Sequence, residues 1–144
     1  MKISGFTIAR NVVRADYPIK EAVTSILPLC DEFVIAVGKS EDDTLAYIKS
    51  WNLDKIKIIE TVWDDNLREG GRVLADETNK AMAACSPDSD WLFYIQADEV
   101  IHEKHLPSIK ESMENNLGLT QIDGLLFDYL HFYGTYDYVG DSRR

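Results

Sequence analysis

Cysteine is nearly absent from this chain, and the two that occur, Cys30 and Cys85, lie far apart with no Cys-x-x-Cys spacing. That pattern excludes a zinc ribbon and a dithiol redox motif, and both residues are expected to be reduced thiols among apolar neighbours. Basic residues are also scarce, with 15 Lys and Arg against 25 Asp and Glu, for a formal charge of -10. No Lys/Arg cluster forms a stripe able to neutralise a phosphate backbone, so nucleic acid is not an expected partner. An acidic chain that handles an anionic ligand needs a divalent cation or a few placed basic groups. No apolar run approaches the roughly 18 residues of a membrane-spanning helix. The opening "MKISGFTIARN" has no signal-peptide core, which leads to the expectation of a cytoplasmic protein. The phosphate loop Gly-x-x-x-x-Gly-Lys-Ser/Thr, a Gly-x-Gly-x-x-Gly after the first strand and a Gly-x-Ser-x-Gly elbow are all missing. Their absence argues against P-loop ATPases, dinucleotide dehydrogenases and serine hydrolases.

What is present is an alternation of strand and helix signals over 144 residues, about one domain. "ISGFTIA" (3–9) reads as a first strand. Pro18 suits the first position of a helix in which Ile19, Ala22, Val23, Ile26 and Leu27 share one face. "FVIAV" (33–37) reads as a strand covered on both faces and ended by Gly38, with Ser40 capping a helix whose first turn holds Glu41, Asp42 and Asp43. "IKIIETV" (56–62) is a third strand. A polar segment, "WDDNLREGGR", leads to a helix with Leu74, Thr78, Ala81, Met82 and Cys85 on its inner face. "DWLFYI" (90–95) is a fourth strand of the deeply buried kind. Pro107 opens another helix with Ile109, Met113 and Leu117 inward, and 123–134 is a partly alternating fifth strand. This order predicts a three-layer α/β/α sandwich on a mostly parallel sheet, in a single domain spanning 1–144.

In such sheets ligands bind beyond the carboxyl ends of the strands. Polar clusters stand at three of those ends: Arg10-Asn11, Gly38 to Asp43, and Gln96 to Glu99. They are expected to converge on one cleft.

The segments "ISGFTIARN", "DEFVIAVGKSEDDT", "NKAMAAC" and "DWLFYIQADEVI", in that order, resemble the family 2 glycosyltransferases of the GT-A fold. In that family the second strand commonly ends in an Asp-Asp-Gly-Ser-Thr-Asp-Gly-Thr-like loop, a later helix carries Ala-Arg-Asn-x-Gly/Ala, and the fourth strand ends in Asp-x-Asp. Asn79-Lys80-Ala81 fits the end of the helix motif, and Ser40, Asp42 and Thr44 fit the later part of the loop. Asp98 fits the last acid of Asp-x-Asp, whereas Gln96 stands where the first acid usually is. Val37 and Gly38 replace aspartates that usually end the second strand.

The resemblance implies transfer of a sugar from a nucleotide-diphosphate donor to an acceptor hydroxyl, inverting and assisted by Mg²⁺ or Mn²⁺. It implies metal ligands at Asp98 and Glu99 and a donor pocket formed by Ala9, Asn11, Gly38, Asp42, Arg72, Gln96 and Ala97. The acceptor is an unidentified carbohydrate, lipid or protein. The family's base is an acid after the fifth strand, for which Asp137 and Asp141 are candidates, while Asp128 reads equally as a solvent-facing strand residue. The sequence stops at "YGTYDYVGDSRR", short of a usual GT-A catalytic domain, and is read as a donor-binding portion lacking an acceptor and base part.

Plainer readings stand beside these. Gln96 to Glu99 makes a capping turn after a strand, Asp42 and Asp43 a solvated first turn, and Arg68 and Arg72 surface ion pairs rather than diphosphate contacts. His102 and His131 suit a structural role as well as a metal shell. The aromatics Phe127, Tyr129, Phe132, Tyr133, Tyr136 and Tyr138 suit core packing or a homo-oligomer surface as well as a sugar-stacking wall. A non-catalytic module derived from a glycosyltransferase is one alternative. A sugar-1-phosphate nucleotidylyltransferase is another, although "ARNVVRADY" lacks that class's glycine-rich, Arg-bearing loop.

Overall fold

The computed structural model describes residues 1–67 and 69–140. Four strands, β1 (Ile3–Ala9), β2 (Glu32–Gly38), β3 (Ile56–Thr61) and β4 (Trp91–Tyr94), pair in the order β3-β2-β1-β4, all parallel. Parallel neighbours need crossovers, and here helices supply them: α1 (Ile19–Ile26) between β1 and β2, α2 (Thr44–Lys49) between β2 and β3, and α3 (Arg72–Ala83) between β3 and β4. A fourth helix, α4 (Leu106–Asn116), follows β4.

Side-chain alternation along the strands separates two cores. Phe33, Ile35, Val37, Phe93 and Ile95 point to one face, where they meet Ile19, Val23 and Ile26 of α1, Ile48 of α2, and Ile109 and Met113 of α4. Phe6, Val34 and Ala36 point to the other, against Ala81 of α3 and Cys85. The expected three-layer α/β/α sandwich is therefore present. Burial also pushes the Cys30 thiol up to about 12 and the Cys85 thiol up to about 11, which favours the protonated form of both.

Several local expectations are corrected. Ser40 does not cap α2: the helix begins at Thr44, so Glu41, Asp42 and Asp43 precede it. On α3 the inner face is Glu77 and Ala81 while Leu74 and Met82 are exposed, because the helix lies over the inner strands β1 and β2 and leaves room for only a short contact. Leu117 falls just past the end of α4 and is exposed.

The run "DWLFYI" is not buried on both faces. β4 is an edge strand, so Phe93 and Ile95 are 5% and 2% exposed while Leu92 and Tyr94 are 42% and 39% exposed. No strand forms over 123–131. Leu125 packs onto the α1-side core and Phe127 stacks on Phe93 at 5.4 Å, which uses the segment to cover the sheet rather than extend it. Regular pairing resumes in a two-stranded antiparallel hairpin, β5 (Phe132–Tyr133) with β6 (Thr135–Val139), turned by Gly134 at φ 74°.

Candidate functional site

The strand order fixes where a ligand-binding crevice belongs. From β1 the chain winds outward through β2 to β3, then returns to place β4 on the opposite side of β1. The carboxyl ends of β1 and β4 thus flank the point where the winding reverses, the usual crevice of an open α/β sheet. Arg10 and Asn11 leave β1 there, and Gln96 to Glu99 leave β4 there.

The loops after β1 and β2 are welded together. Asn11 adopts φ 53°, a left-handed conformation that asparagine tolerates. Its N–H donates to Ser40 Oγ at 3.1 Å, and its Oδ1 accepts from the Glu41 N–H at 2.8 Å. Ser40 in turn donates to the Gly38 carbonyl at 2.9 Å. Fully buried Thr44 accepts from the Val12 N–H at 2.9 Å and donates to Asp42 Oδ1 at 2.5 Å. Asp42 Oδ2 accepts from the Arg14 N–H at 2.8 Å. Burial pushes the Asp42 carboxyl up, but these hydrogen bonds outweigh it and hold the group below its ordinary value of 3.8. Asn11 and Asp42 are therefore committed to holding this rim in shape, and Ala9 is buried at 2% exposed.

Beside this rim, Val37, Gly38, Ser40, Asp42, Glu60 and Thr61 line a cleft of about 420 Å³. Behind Thr61, the buried Glu77 of α3 accepts from Thr61 Oγ1 at 2.5 Å and from Lys80 Nζ at 2.7 Å. Asp76 and Glu77 hold the Lys80 ammonium above its ordinary value. This knot ties α3 to the carboxyl end of β3.

The β4 loop is a tight turn. The Gln96 N–H donates to Glu99 Oε2 at 2.9 Å and the Glu99 N–H donates to the Gln96 carbonyl at 3.2 Å. Gln96, Asp98 and Glu99 are exposed and Ala97 is half-buried. Asp98 makes no hydrogen bond or ion pair among the described residues, and these contain no group of three or more His, Cys, Asp or Glu side chains placed to hold a metal ion. The donor set still fits a hard cation of the Mg²⁺ type, which takes one or two carboxylates and fills its shell with water and phosphate oxygens.

The remaining candidates lie apart. Arg72 heads α3, exposed and without a hydrogen bond or ion pair among the described residues. Asp137 is exposed on β6, where its N–H donates to Thr135 Oγ1 at 3.2 Å, and no hydrogen bond or ion pair joins it to the carboxyl-edge loops. Asp128 and His131 are exposed, and His102 accepts from the Lys104 N–H at 3.2 Å in a local turn. Asp141 and Arg68 lie outside the described residues.

One cluster escaped the sequence reading. Arg10 reaches across the end of β2, its guanidinium 5.3 Å from the centre of the Trp63 ring and 3.2 Å from Asp65 Oδ1. Trp63 sits over Gly38 so closely that a Cβ there would come within 2.2 Å of its Nε1. The only hint in the sequence is the pairing of a bare glycine at one strand end with a tryptophan just past the next.

No protein-family model matches the chain, and no curated protein does. Among solved structures it is similar to S. aureus TarS, in a form spanning residues 1–349, at 19% identity and TM-score 0.56 over 81% of this chain and 33% of that one. A second S. aureus TarS structure gives the same identity and TM-score over 81% of this chain and 20% of its own. The chain thus spans a third or less of the length of these neighbours, and what it shares with them is a GT-A-like α/β fold.

Proposed function

We propose that this chain is the donor-binding portion of a metal-assisted, inverting glycosyltransferase that moves a sugar from a nucleotide diphosphate to an acceptor hydroxyl. The observation that carries the reading is the reversal of strand order at β1, which brings the Arg10-Asn11 and Gln96-to-Glu99 loops to adjacent carboxyl ends in a GT-A-like sheet. Asp98 and Glu99 hold a divalent cation with the diphosphate oxygens. When bound, that cation supplies positive charge against the charge that develops on the leaving nucleoside diphosphate. The chain's own residues bind and orient. The rim of Asn11, Ser40, Asp42 and Thr44 is held in a fixed geometry by its own hydrogen bonds, so little ordering accompanies ligand binding.

A nucleoside diphosphate with Mn²⁺ is expected to raise the melting temperature by several degrees, since ligand at 100 times its Kd contributes about 2.7 kcal/mol. Asp98→Ala is expected to abolish the shift. If a panel of nucleoside diphosphates with Mn²⁺ leaves melting unchanged, the reading fails.

A reading without turnover draws on the exposed hairpin, where Asp137 has no hydrogen bond or ion pair with the carboxyl-edge loops. Donor hydrolysis or transfer by the 144-residue chain rules it out.

A further inference from the structure

We infer that the β5–β6 hairpin joins two copies of this chain, β6 pairing antiparallel with its own copy in a four-stranded sheet about a two-fold axis. A lone two-stranded hairpin is marginal in water and needs a third strand or a packed face to hold its shape. This one has neither: every residue of β5 and β6 is exposed, and the outer edge of β6 is unpaired among the described residues. What closes it is local. The Gly140 N–H donates to the His131 carbonyl at 2.7 Å, and the Phe132 and Tyr136 rings meet edge to face at 5.2 Å.

The apolar surface here is of the size a partner needs. Tyr129, Phe132, Tyr133, Tyr136 and Tyr138 are 44–87% exposed, and Leu126 just before them is 99% exposed. At roughly 200 Å² per aromatic side chain, those five rings alone leave about 700 Å² in water, close to the ~800 Å² that each partner brings to a standard interface. Scattered exposed hydrophobics are ordinary, but a contiguous patch of this size marks a contact surface.

Its chemistry selects a second copy over other occupants. Residues 123–140 hold three aspartates and no Lys or Arg, on a chain of net charge -10, so an anionic lipid surface repels them. A different protein is commonly selected by complementary charge, and three scattered acids offer little of it. An open strand edge is self-complementary instead, as a two-fold contact requires. Pairing centred on Asp137 engages all five residues of Thr135–Val139 and sets Tyr136 opposite the partner's Tyr138 twice over. The same register brings the two Asp137 side chains together at the axis, where like charges weaken the pair.

The test is sedimentation equilibrium of the full chain at about 1–100 µM, for the wild type and the variants Tyr136→Glu, Asp137→Asn and Leu92→Glu. The wild type is expected to level off at twice its mass of 16.4 kDa, with a dissociation constant on the order of 10 µM. Tyr136→Glu is expected to weaken the dimer about tenfold or more, and Asp137→Asn to tighten it about threefold by removing the carboxylate pair at the axis. Leu92→Glu, on the exposed edge strand β4, is expected to leave it within about twofold. A chain that stays monomeric across the range, or whose mass climbs past the dimer without levelling, overturns the proposal. So does an Asp137→Asn dimer no tighter than the wild type, a Tyr136→Glu dimer as tight as the wild type, or loss of the dimer in Leu92→Glu. Flotation of the monomer with phosphatidylserine vesicles would give the patch to a lipid surface and overturn it as well.

Discussion

Phe33→Ala is expected to lower stability by about 3–5 kcal/mol and the melting temperature by about 10 °C, measured by urea and thermal unfolding. Phe33 lies on β2, one of the two inner strands, is 0% exposed, and is the largest of the fully buried side chains. Its ring fills a space that the neighbouring strand leaves open on purpose of composition: a Cβ on Gly5, its partner in the β1–β2 register, would lie 2.3 Å from the ring and 2.9 Å from Cys30 Sγ. Gly5→Ala alone is therefore expected to cost about 1–3 kcal/mol through overpacking. In the Phe33→Ala background the same methyl group enters an empty cavity. The double variant should be more stable than the sum of the two losses predicts, and additive losses would show that glycine and ring are not packed as described.

Glu77→Ala is expected to destabilise the protein by about 2–3 kcal/mol, with Glu77→Gln losing roughly half as much. The carboxylate is 0% exposed and takes hydrogen bonds from Thr61 Oγ1 and Lys80 Nζ. Truncation leaves the Thr61 hydroxyl facing α3 without its acceptor and opens a cavity between helix and sheet. Glutamine keeps the volume and one carbonyl acceptor. A Glu77→Ala variant as stable as the wild type would show that the knot contributes nothing.

Much of the fold was legible in the residues. β1 is bounded by what its sequence shows, and Ile19, Ala22, Val23 and Ile26 bury the face their spacing requires. Periodicity failed where the neighbouring layer is partial. Leu74 and Met82 satisfy a helical stripe, but α3 meets the sheet through Glu77 and Ala81, and no pattern rule selects a glutamate as a core residue. Likewise "DWLFYI" reads as a doubly buried strand because composition cannot reveal that β4 stands at an edge. The segment 123–131 alternates as a strand would, yet hydrogen bonding needs a partner, and its apolar residues turn to the core instead.

The candidate site divides in the same way. Polar residues at strand ends were visible, and the strand order then put two of the groups beside the reversal point. That Asn11 and Asp42 spend their side chains on neighbouring loops was not visible, since the bonds join residues about thirty positions apart. The Arg10–Trp63 stack joins residues still farther apart in sequence and has no motif.

The central claim is that a diphosphate and its cation sit at the carboxyl edge between β1 and β4. Manganese is paramagnetic and broadens nearby amide resonances, so titrating a nucleoside diphosphate with a trace of Mn²⁺ into the ¹⁵N-labelled chain reads the position directly. Broadening is expected at Gln96 to Glu99 and at Arg10 and Asn11, and Asp98→Ala should remove it. The opposite edge of the sheet supplies its own acids, Asp31, Glu32, Asp88 and Asp90, near the starts of β1, β2 and β4. Broadening centred on those residues, with none at Asp98, would contradict the account.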